Sequence, residues 1–330
     1  MIHLHGIGHF HPENVIDNVF LESLDIGTSC EWIMERVGIQ TRRTVLPLDY
    51  IRQTRNRNLR EASEAALYGN AEMAADAARM ALDRAGLKPS DIGLVISGSC
   101  SPDYTCPAEA ASVAAALGIE VPGFDLNSAC SSFGMQVTFL DRMKPETLPS
   151  FILLVNPESL TRCVDYGDRN SAVLFGDGSA AAVVSASVPA RAAFDSCACE
   201  SNPSAWTKVQ IPRQGYFQQD GKAVQGFAIR KSTDSLRLLQ SEYSLNGNRL
   251  KFVGHQANLG MLATVCERAG IEDRNHWYNV ADFGNTGCAG APSVLSQHWD
   301  DLVPGCHVAL SLVGAGLTWV HMMLKVREAP

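Results

Sequence analysis

Two stretches of this chain echo one another at nearly the same spacing, and that recurrence limits the fold more than any other feature. Asp91-Ile-Gly-Leu-Val-Ile-Ser-Gly98 is echoed by Leu250-Lys-Phe-Val-Gly254, which sets Gly98 and Gly254 156 positions apart. Phe124-Asp-Leu-Asn-Ser-Ala-Cys130 is echoed by Ala281-Asp-Phe-Gly-Asn-Thr-Gly287, 157 positions on. Repetition on that scale implies two copies of one supersecondary unit. The division falls near residues 185–200, giving halves 1–185 and 186–330 related by a pseudo-twofold. Cys130 and Asn285 then occupy related strand-to-helix corners.

Short apolar runs alternate with helical patterns, the mark of an α/β fold with buried strands. Ala74, Ala78, Ala81 and Ala85 share one face of a helix that Gly86 closes. Pro107–Leu117 reads as a helix with Pro in its first turn and Gly118 beyond its end, and Ser131–Met143 as another. Strands are expected at Ile92–Ser97, Gly123–Leu126, Phe151–Val155, Ala172–Phe175, Ala180–Val184 and Val308–Val313, with Gly176-Asp-Gly178 as a turn between two of them.

The 330 residues carry a formal net charge of −8, the wrong sign for a nucleic-acid binder. No run reaches the ~18 apolar residues of a membrane helix. The opening MIHLHGIGHFHPE lacks the basic and apolar regions of a secretion signal, so a cytoplasmic protein is expected. Ten cysteines without regular spacing then read as reduced thiols. There is no CxxC pair; Cys197-Ala-Cys199 is the nearest approach, and a zinc site is not expected. His3, His5, His9 and His11 resemble a metal cluster, but alternation on a first strand explains His3 and His5 equally well, and no carboxylate or Cys stands at ligand spacing. His307 and His321 flank or lie in the last strands and read as structural. Gly6-Ile-Gly8 lacks a third glycine, and Gly176-Asp-Gly178 lacks the Lys-Ser/Thr of a phosphate loop.

Three residues carry chemistry. Cys130 follows a strand and precedes a helix, where the macrodipole and free N–H groups favour a thiolate. Its small neighbours Ser128, Ala129, Ser131 and Ser132 leave room for a carbonyl substrate. His255 follows Gly254 at a strand C-terminus, where α/β proteins gather ligands. Asn285, in Phe-Gly-Asn-Thr-Gly287, offers a neutral donor that polarises a carbonyl without carrying charge. Each also has a purely structural reading: buried thiol, hydrogen-bonded core imidazole, turn asparagine.

Cys130 in Asn-Ser-Ala-Cys-Ser-Ser-Phe, His255 in His-Gln-Ala-Asn and Asn285 in Gly-Asn-Thr together resemble the Cys-His-Asn set of the β-ketoacyl-(acyl carrier protein) synthase III family. Trp32-Ile-Met-Glu-Arg36 with Gly38-Ile39, Asp168-Arg169, Leu174-Phe-Gly-Asp-Gly178 and Gly314-Ala-Gly-Leu-Thr-Trp319 add to the resemblance, in the family's order from residue 2 to residue 325. It implies a thiolase-like fold, two halves layered αβαβα, in a homodimer.

It also implies a mechanism. Cys130 takes an acyl group from a coenzyme A or carrier-protein thioester. His255 and Asn285 stabilise the enolate of a malonyl thioester as carbon dioxide departs, and the carbanion attacks acyl-Cys130. The backbone N–H groups of Cys130 and Ala315 form the oxyanion hole. The resemblance places Trp32, Arg36 and Arg169 at the nucleotide end of coenzyme A and Asn258 on the pantetheine arm. It sends Cys106 into the acyl pocket of the partner subunit, where a small residue leaves room for a chain longer than acetyl. No metal or redox cofactor is implied, and the partners are acyl and malonyl thioesters and an acyl carrier protein.

The chain departs from the family pattern in three places. Residues 46–70 form a long connection carrying Arg52, Arg55, Arg57 and Arg60, read as a solvated helix or as a contact for an acidic carrier. Gly260 stands where carrier-recruiting members often have Arg. Ser131-Ser132 and Gly287 replace the usual small-Gly and Ser, which suggests an altered pocket floor. These departures, with Cys106, point to a specialised synthase, with a polyketide-type enzyme joining two acyl or β-ketoacyl thioesters, or a plain acyltransferase, as alternatives. A non-catalytic partner subunit is a remoter one, disfavoured by the intact Cys-His-Asn set.

Overall fold

The computed structural model describes residues 1–247 and 249–328. Its main sheet contains β1 (Ile2–Phe10), β2 (Leu94–Ser97), β3 (Gly123–Asp125), β4 (Ile152–Glu158), β5 (Gly178–Ser185), β6 (Ala192–Ser201), β7 (Lys251–Gly254), β8 (His307–Gly314) and β9 (Thr318–Val326). Their spatial order is β7-β8-β9-β6-β1-β5-β4-β2-β3. The helices that position the site are α1 (Cys30–Val37), α2 (Asn70–Ala85), α3 (Glu109–Leu117), α4 (Ser132–Asp141), α5 (Leu259–Ala269) and α6 (Gly290–Gln297).

β1 and β6 pair antiparallel at the centre, Ile2 opposite Phe194. Outward from that pair, the two sides repeat the same directions. β5 and β9 are antiparallel to their inner neighbours, β4 and β8 antiparallel to β5 and β9, and β2 and β7 parallel to β4 and β8. β2 and β7 therefore occupy matching places, as the first sequence echo implies. The second echo needs correction. Phe124 lies in β3, paired in parallel with Ile96, whereas Ala281 lies in the short helix Val280–Phe283. The counterpart of Phe124 is His276, which makes a parallel bridge to Phe252. What the two segments share is the small, turn-forming chemistry of a corner, not a strand.

The layers follow from which faces are apolar. α2 lies against β1 so closely that a Cβ on Gly6 would sit 2.0 Å from Ala81 O, and one on Gly8 2.1 Å from Ala77 O. Glycine on the strand and alanine on the helix are what permit that approach. Ala74, Ala77, Ala78 and Ala81 join Val95, Val113, Leu153 and Val183 in one outer core. α4 and α6 lie between the halves: Phe133, Val137 and Leu295 share a core with Ile96 and Leu154 of the first half and Val253, Leu310 and Val320 of the second. The long helix Gly221–Glu242 and α5 cover the other outer face, where Leu236, Leu239 and Val265 meet Phe252, Ala309 and Met323. The nine-stranded sheet thus supplies two β layers, one from each half, in a helix, sheet, helix, sheet, helix stack.

Three local expectations are corrected. Ala172–Phe175 is not a strand: Asp168 caps a helix at Arg169–Ala172, accepting from Asn170 N, and only Phe175 makes a bridge, to Asn285. Gly176–Gly178 thus leads from that bridge into β5. Pro107 lies outside α3, which begins where the Asp125 carboxylate accepts from Glu109 N (2.8 Å) and Ala110 N (2.9 Å). Residues 46–70 hold two short helices, Leu48–Thr54 and Leu59–Ala65, separated by Arg55 and Asn56 with φ of 56° each.

Candidate active site

The corner bearing Cys130 is built from hydroxyls. Ala129 adopts a left-handed conformation, φ 49°, a strain of about 1–3 kcal/mol for a residue with a side chain. Asn127 Oδ1 accepts from its N–H at 2.8 Å, and its carbonyl accepts from Ser132 N at 2.9 Å and Ser132 Oγ at 2.7 Å. Ser131 Oγ donates to Ser128 O at 2.7 Å, and Ser128 N donates to Ser132 Oγ at 2.8 Å. Ser131 and Ser132 are fully buried. They brace the corner and do not form the pocket floor, contrary to the sequence reading.

Cys130 faces a cavity of about 950 Å³ that also meets Trp32, Arg36, His255, Asn258, Asn285 and Ala315. His255 follows β7, with its N–H donating to Ser311 O at 2.9 Å, and it lines the same cavity as Cys130. A hydrogen bond from Cys100 comes first, and then the His255 charge and hydrogen bond; together they hold the Cys130 thiol well below the ordinary thiol value, while burial acts in the opposite sense. Asn285 Oδ1 accepts from Gly287 N at 3.0 Å. Ala315 opens the turn that ends β8. The preceding Gly314 leaves no space for a side chain, since its Cβ would stand 2.5 Å from Ser128 O. The turn after β8 is thereby held against the corner that bears Cys130.

At the mouth, Ser29 caps α1 by accepting from Trp32 N at 3.1 Å. The Arg169 guanidinium lies 5.0 Å from the Trp32 ring centroid and donates to Gly27 O at 2.6 Å. Arg169 itself is not part of the cavity wall; its neighbours Asp168 and Asn170 are. Asn258 caps α5, its Oδ1 accepting from Met261 N at 2.8 Å, which leaves its amide N–H groups for a ligand. Cys106 is exposed in the loop before α3 and does not reach the cavity of its own chain. Arg52 pairs with Asp49 and Arg60 with Glu64, while Arg55 donates to Arg52 O and Leu24 O. A Cβ on Gly260 would meet only Asn258 Oδ1, at 3.7 Å.

Sequence reasoning missed a buried carboxylate beside Cys100 and Cys288. Glu158 is fully buried at the end of β4. Its carboxylate accepts from Cys100 N (3.0 Å), Ser101 Oγ (2.9 Å), Cys288 N (3.1 Å) and Cys288 Sγ (3.0 Å). Burial pushes this carboxyl above the usual range, with the Cys288 hydrogen bond opposing. Nothing in a lone Glu at a strand end signals such a role. Lys222 was also missed; it stands with Arg36 on the cavity wall.

The layered fold, with a thiol, an imidazole and a carboxamide lining one cavity, is that of an acyltransferase of the thiolase-like class. Family models for 3-oxoacyl-[acyl-carrier-protein (ACP)] synthase III match residues 124–203 and, for its C-terminal part, 249–326. The beta-ketoacyl-[acyl-carrier-protein] synthase III of Nitratidesulfovibrio vulgaris strain DP4 is 31% identical, with 98% of this chain and 98% of that protein covered. The 3-oxoacyl-[acyl-carrier-protein] synthase III structure from Aquifex aeolicus superposes with a TM-score of 0.85 at 26% identity, covering 98% of this chain and 100% of that one. The priming β-ketosynthase of the R1128 polyketide pathway gives 0.82 at 26%, covering 100% and 97%. The chain belongs to the β-ketoacyl-[acyl-carrier-protein] synthase III family.

Proposed function

We propose that this chain loads an acyl group onto Cys130 and extends it by decarboxylative Claisen condensation with a malonyl thioester. The observation that carries this reading is the convergence of Cys130, His255 and Asn285 on one cavity wall. The Cys130 thiolate attacks the acyl thioester carbonyl, and the N–H groups of Cys130 and Ala315 stabilise the oxyanion until the pantetheine thiolate leaves. The malonyl thioester carbonyl then accepts hydrogen bonds from His255 and Asn285. Loss of carbon dioxide leaves an enolate on that oxygen, and its carbon attacks acyl-Cys130, releasing the thiol. Asn285 separates this reading from plain acyl transfer, which forms no enolate.

Delivery follows from the mouth. Trp32 stacks the adenine, with Arg169 moving off the ring to admit it, and Arg36 and Lys222 meet phosphate. Asn258 donates to the pantetheine arm. We assign residues 1–185 to the nucleophile-bearing half and 186–330 to the half bearing His255 and Asn285. We further infer a cytoplasmic homodimer in which Cys106 enters the partner's acyl pocket and admits chains longer than acetyl, with malonyl delivered on an acyl carrier protein. Among the described residues, no helix is long and apolar enough to cross a membrane. The likeness to a polyketide priming synthase favours, as a second reading, a specialised member of the family.

The test mixes an acyl-coenzyme A, malonyl-carrier protein and enzyme, and follows carbon dioxide against β-ketoacyl product. Release in step with product supports condensation. Acyl transfer to a small acceptor without carbon dioxide contradicts it.

A further inference from the structure

Glu158 ties together two backbone segments from opposite halves of the chain. Its Oε2 accepts from Cys100 N at 3.0 Å, Ser101 Oγ at 2.9 Å and Ser99 Oγ at 3.3 Å, all just beyond β2. Its Oε1 accepts from Cys288 N at 3.1 Å, and the Cys288 thiol lies 3.0 Å from both Oε1 and Gly98 O. The side chain is fully buried, and its backbone is fixed where Glu158 pairs with Gly178 of β5. A carboxylate suits this place because both its oxygens only accept; an amide would turn an NH2 group toward donors on one side. The same side chain packs along Gly287, where a Cβ would stand 2.4 Å from Oε1, 2.8 Å from Cδ and 3.0 Å from Cγ. Gly287 is thus confined by Glu158, and the next residue is hydrogen-bonded to it.

Gly287 N donates to Asn285 Oδ1 at 3.0 Å. The main chain of Asn285 is held separately, by Leu174 and Gly176, so the Gly287 N–H governs the rotation of the carboxamide. With Oδ1 engaged, the NH2 group is the one presented to the cavity that Cys130 and His255 also line. Turned the other way, the carboxamide would set its own oxygen against a developing enolate oxygen. We propose that Glu158 is a positioning residue for the condensation step: it fixes the Gly287–Cys288 turn, and that turn orients the Asn285 amide toward the thioester carbonyl. The proposal rests on the reading that Asn285 stabilises the enolate. Glu158 does not line the cavity and acts through Asn285. The Cys130 corner has its own brace in Ser128, Ser131 and Ser132, so acyl loading depends on Glu158 far less than condensation does.

The test is a double-mutant cycle with a spectroscopic measurement beside it. Single-turnover condensation by acyl-loaded Glu158→Gln is expected to fall about 10–100-fold, the effect of a misplaced group, with loading changed far less. In an Asn285→Ala background the same substitution should have no further effect, because the group it orients is gone. Losses that simply add overturn the proposal. The second measurement needs no catalysis. In the whole protein, isotope-labelled at its asparagine side chains, the Asn285 NH2 resonances are those missing from Asn285→Ala. They should shift in Glu158→Gln and stay in place in Glu109→Gln, which alters a buried carboxyl bonded to Asn70 and Ser97 instead. Asn285 resonances that Glu158→Gln leaves unmoved, or that both variants move alike, overturn the proposal. A wild type that loads yet releases no carbon dioxide defeats the condensation reading, and the amide spectrum still decides whether Glu158 orients Asn285. Where Glu158→Gln does not fold, Glu158→Asp, with its carboxylate withdrawn by one methylene, replaces it in both measurements.

Discussion

Asn285 is bridged to Phe175 across the two halves of the molecule. Its N–H donates to Leu174 O at 2.8 Å, and its carbonyl accepts from Gly176 N at 3.1 Å. The carboxamide is thus placed by main chain of the first half, a few residues before β5, while its Oδ1 is occupied by Gly287 N. That leaves the NH2 group to face a substrate carbonyl.

Removing this donor should separate the two chemical steps. Asn285→Ala is expected to load acyl groups on Cys130 at close to the wild-type rate, while condensation falls about 10²–10³-fold, the usual effect of deleting one oxyanion donor. Single-turnover mass spectrometry reads the first step, and carbon dioxide release the second. Equal losses in both would show that Asn285 supports the fold rather than the enolate.

The Cys130 thiolate should persist below the ordinary thiol range. Its alkylation rate by iodoacetamide, plotted against pH, is expected to reach its midpoint below the ~8.5 of a free cysteine. Cys100→Ala and His255→Ala each remove a group that lowers this pKa, so each should move the midpoint upward. A wild-type midpoint at or above the free value contradicts the site's electrostatics.

Gly287 answers to packing, not to substrate. It has φ +56°, and a Cβ there would stand 2.4 Å from Glu158 Oε1. Gly287→Ser is therefore expected to destabilise the fold by about 2–4 kcal/mol through strain and displacement of a buried carboxylate. Denaturant unfolding measures this; an unchanged midpoint would show that Glu158 yields freely.

Glu109 should contribute a fall in stability as pH rises from about 5 to 7. Burial raises the Glu109 carboxyl to about 7, against hydrogen bonds from Asn70 and Ser97. Between its unfolded value and 7, the folded protein holds a proton that the unfolded chain has released, so raising pH through that window favours unfolding. Glu109→Gln removes this contribution, on the order of 2 kcal/mol, and its melting temperature should vary less than the wild type's between pH 5 and pH 7.

The members of the candidate site were legible in the sequence because each stands where a local pattern changes: Cys130 where a strand gives way to a helix, His255 just after a strand's terminal glycine, Asn285 among glycines. The α/β layering was legible from strand and helix periods, and the first echo located β2 and β7 as counterparts. Other features depend on residues distant in the chain. Ala172–Phe175 has strand composition, yet the Asp168 cap decides for helix. Phe124 and Ala281 look alike in sequence because corners reuse small residues. Glu158 and Cys100 gain their roles only when the fold brings 98–101, 158 and 287–288 together. Arg42 is similar: wholly buried, it donates to Val173 O and Asn18 Oδ1, and nothing in Thr-Arg-Arg-Thr distinguishes it from Arg43.

The most direct test of the central claim is the intact mass of the protein after incubation with acyl-coenzyme A thioesters of graded length, wild type beside Cys130→Ser. The account predicts one acyl adduct on the wild type over a limited range of chain lengths, none on the variant, and discharge of the adduct when malonyl-carrier protein is added. An adduct that survives in Cys130→Ser, or one that malonyl thioester does not discharge, would contradict it.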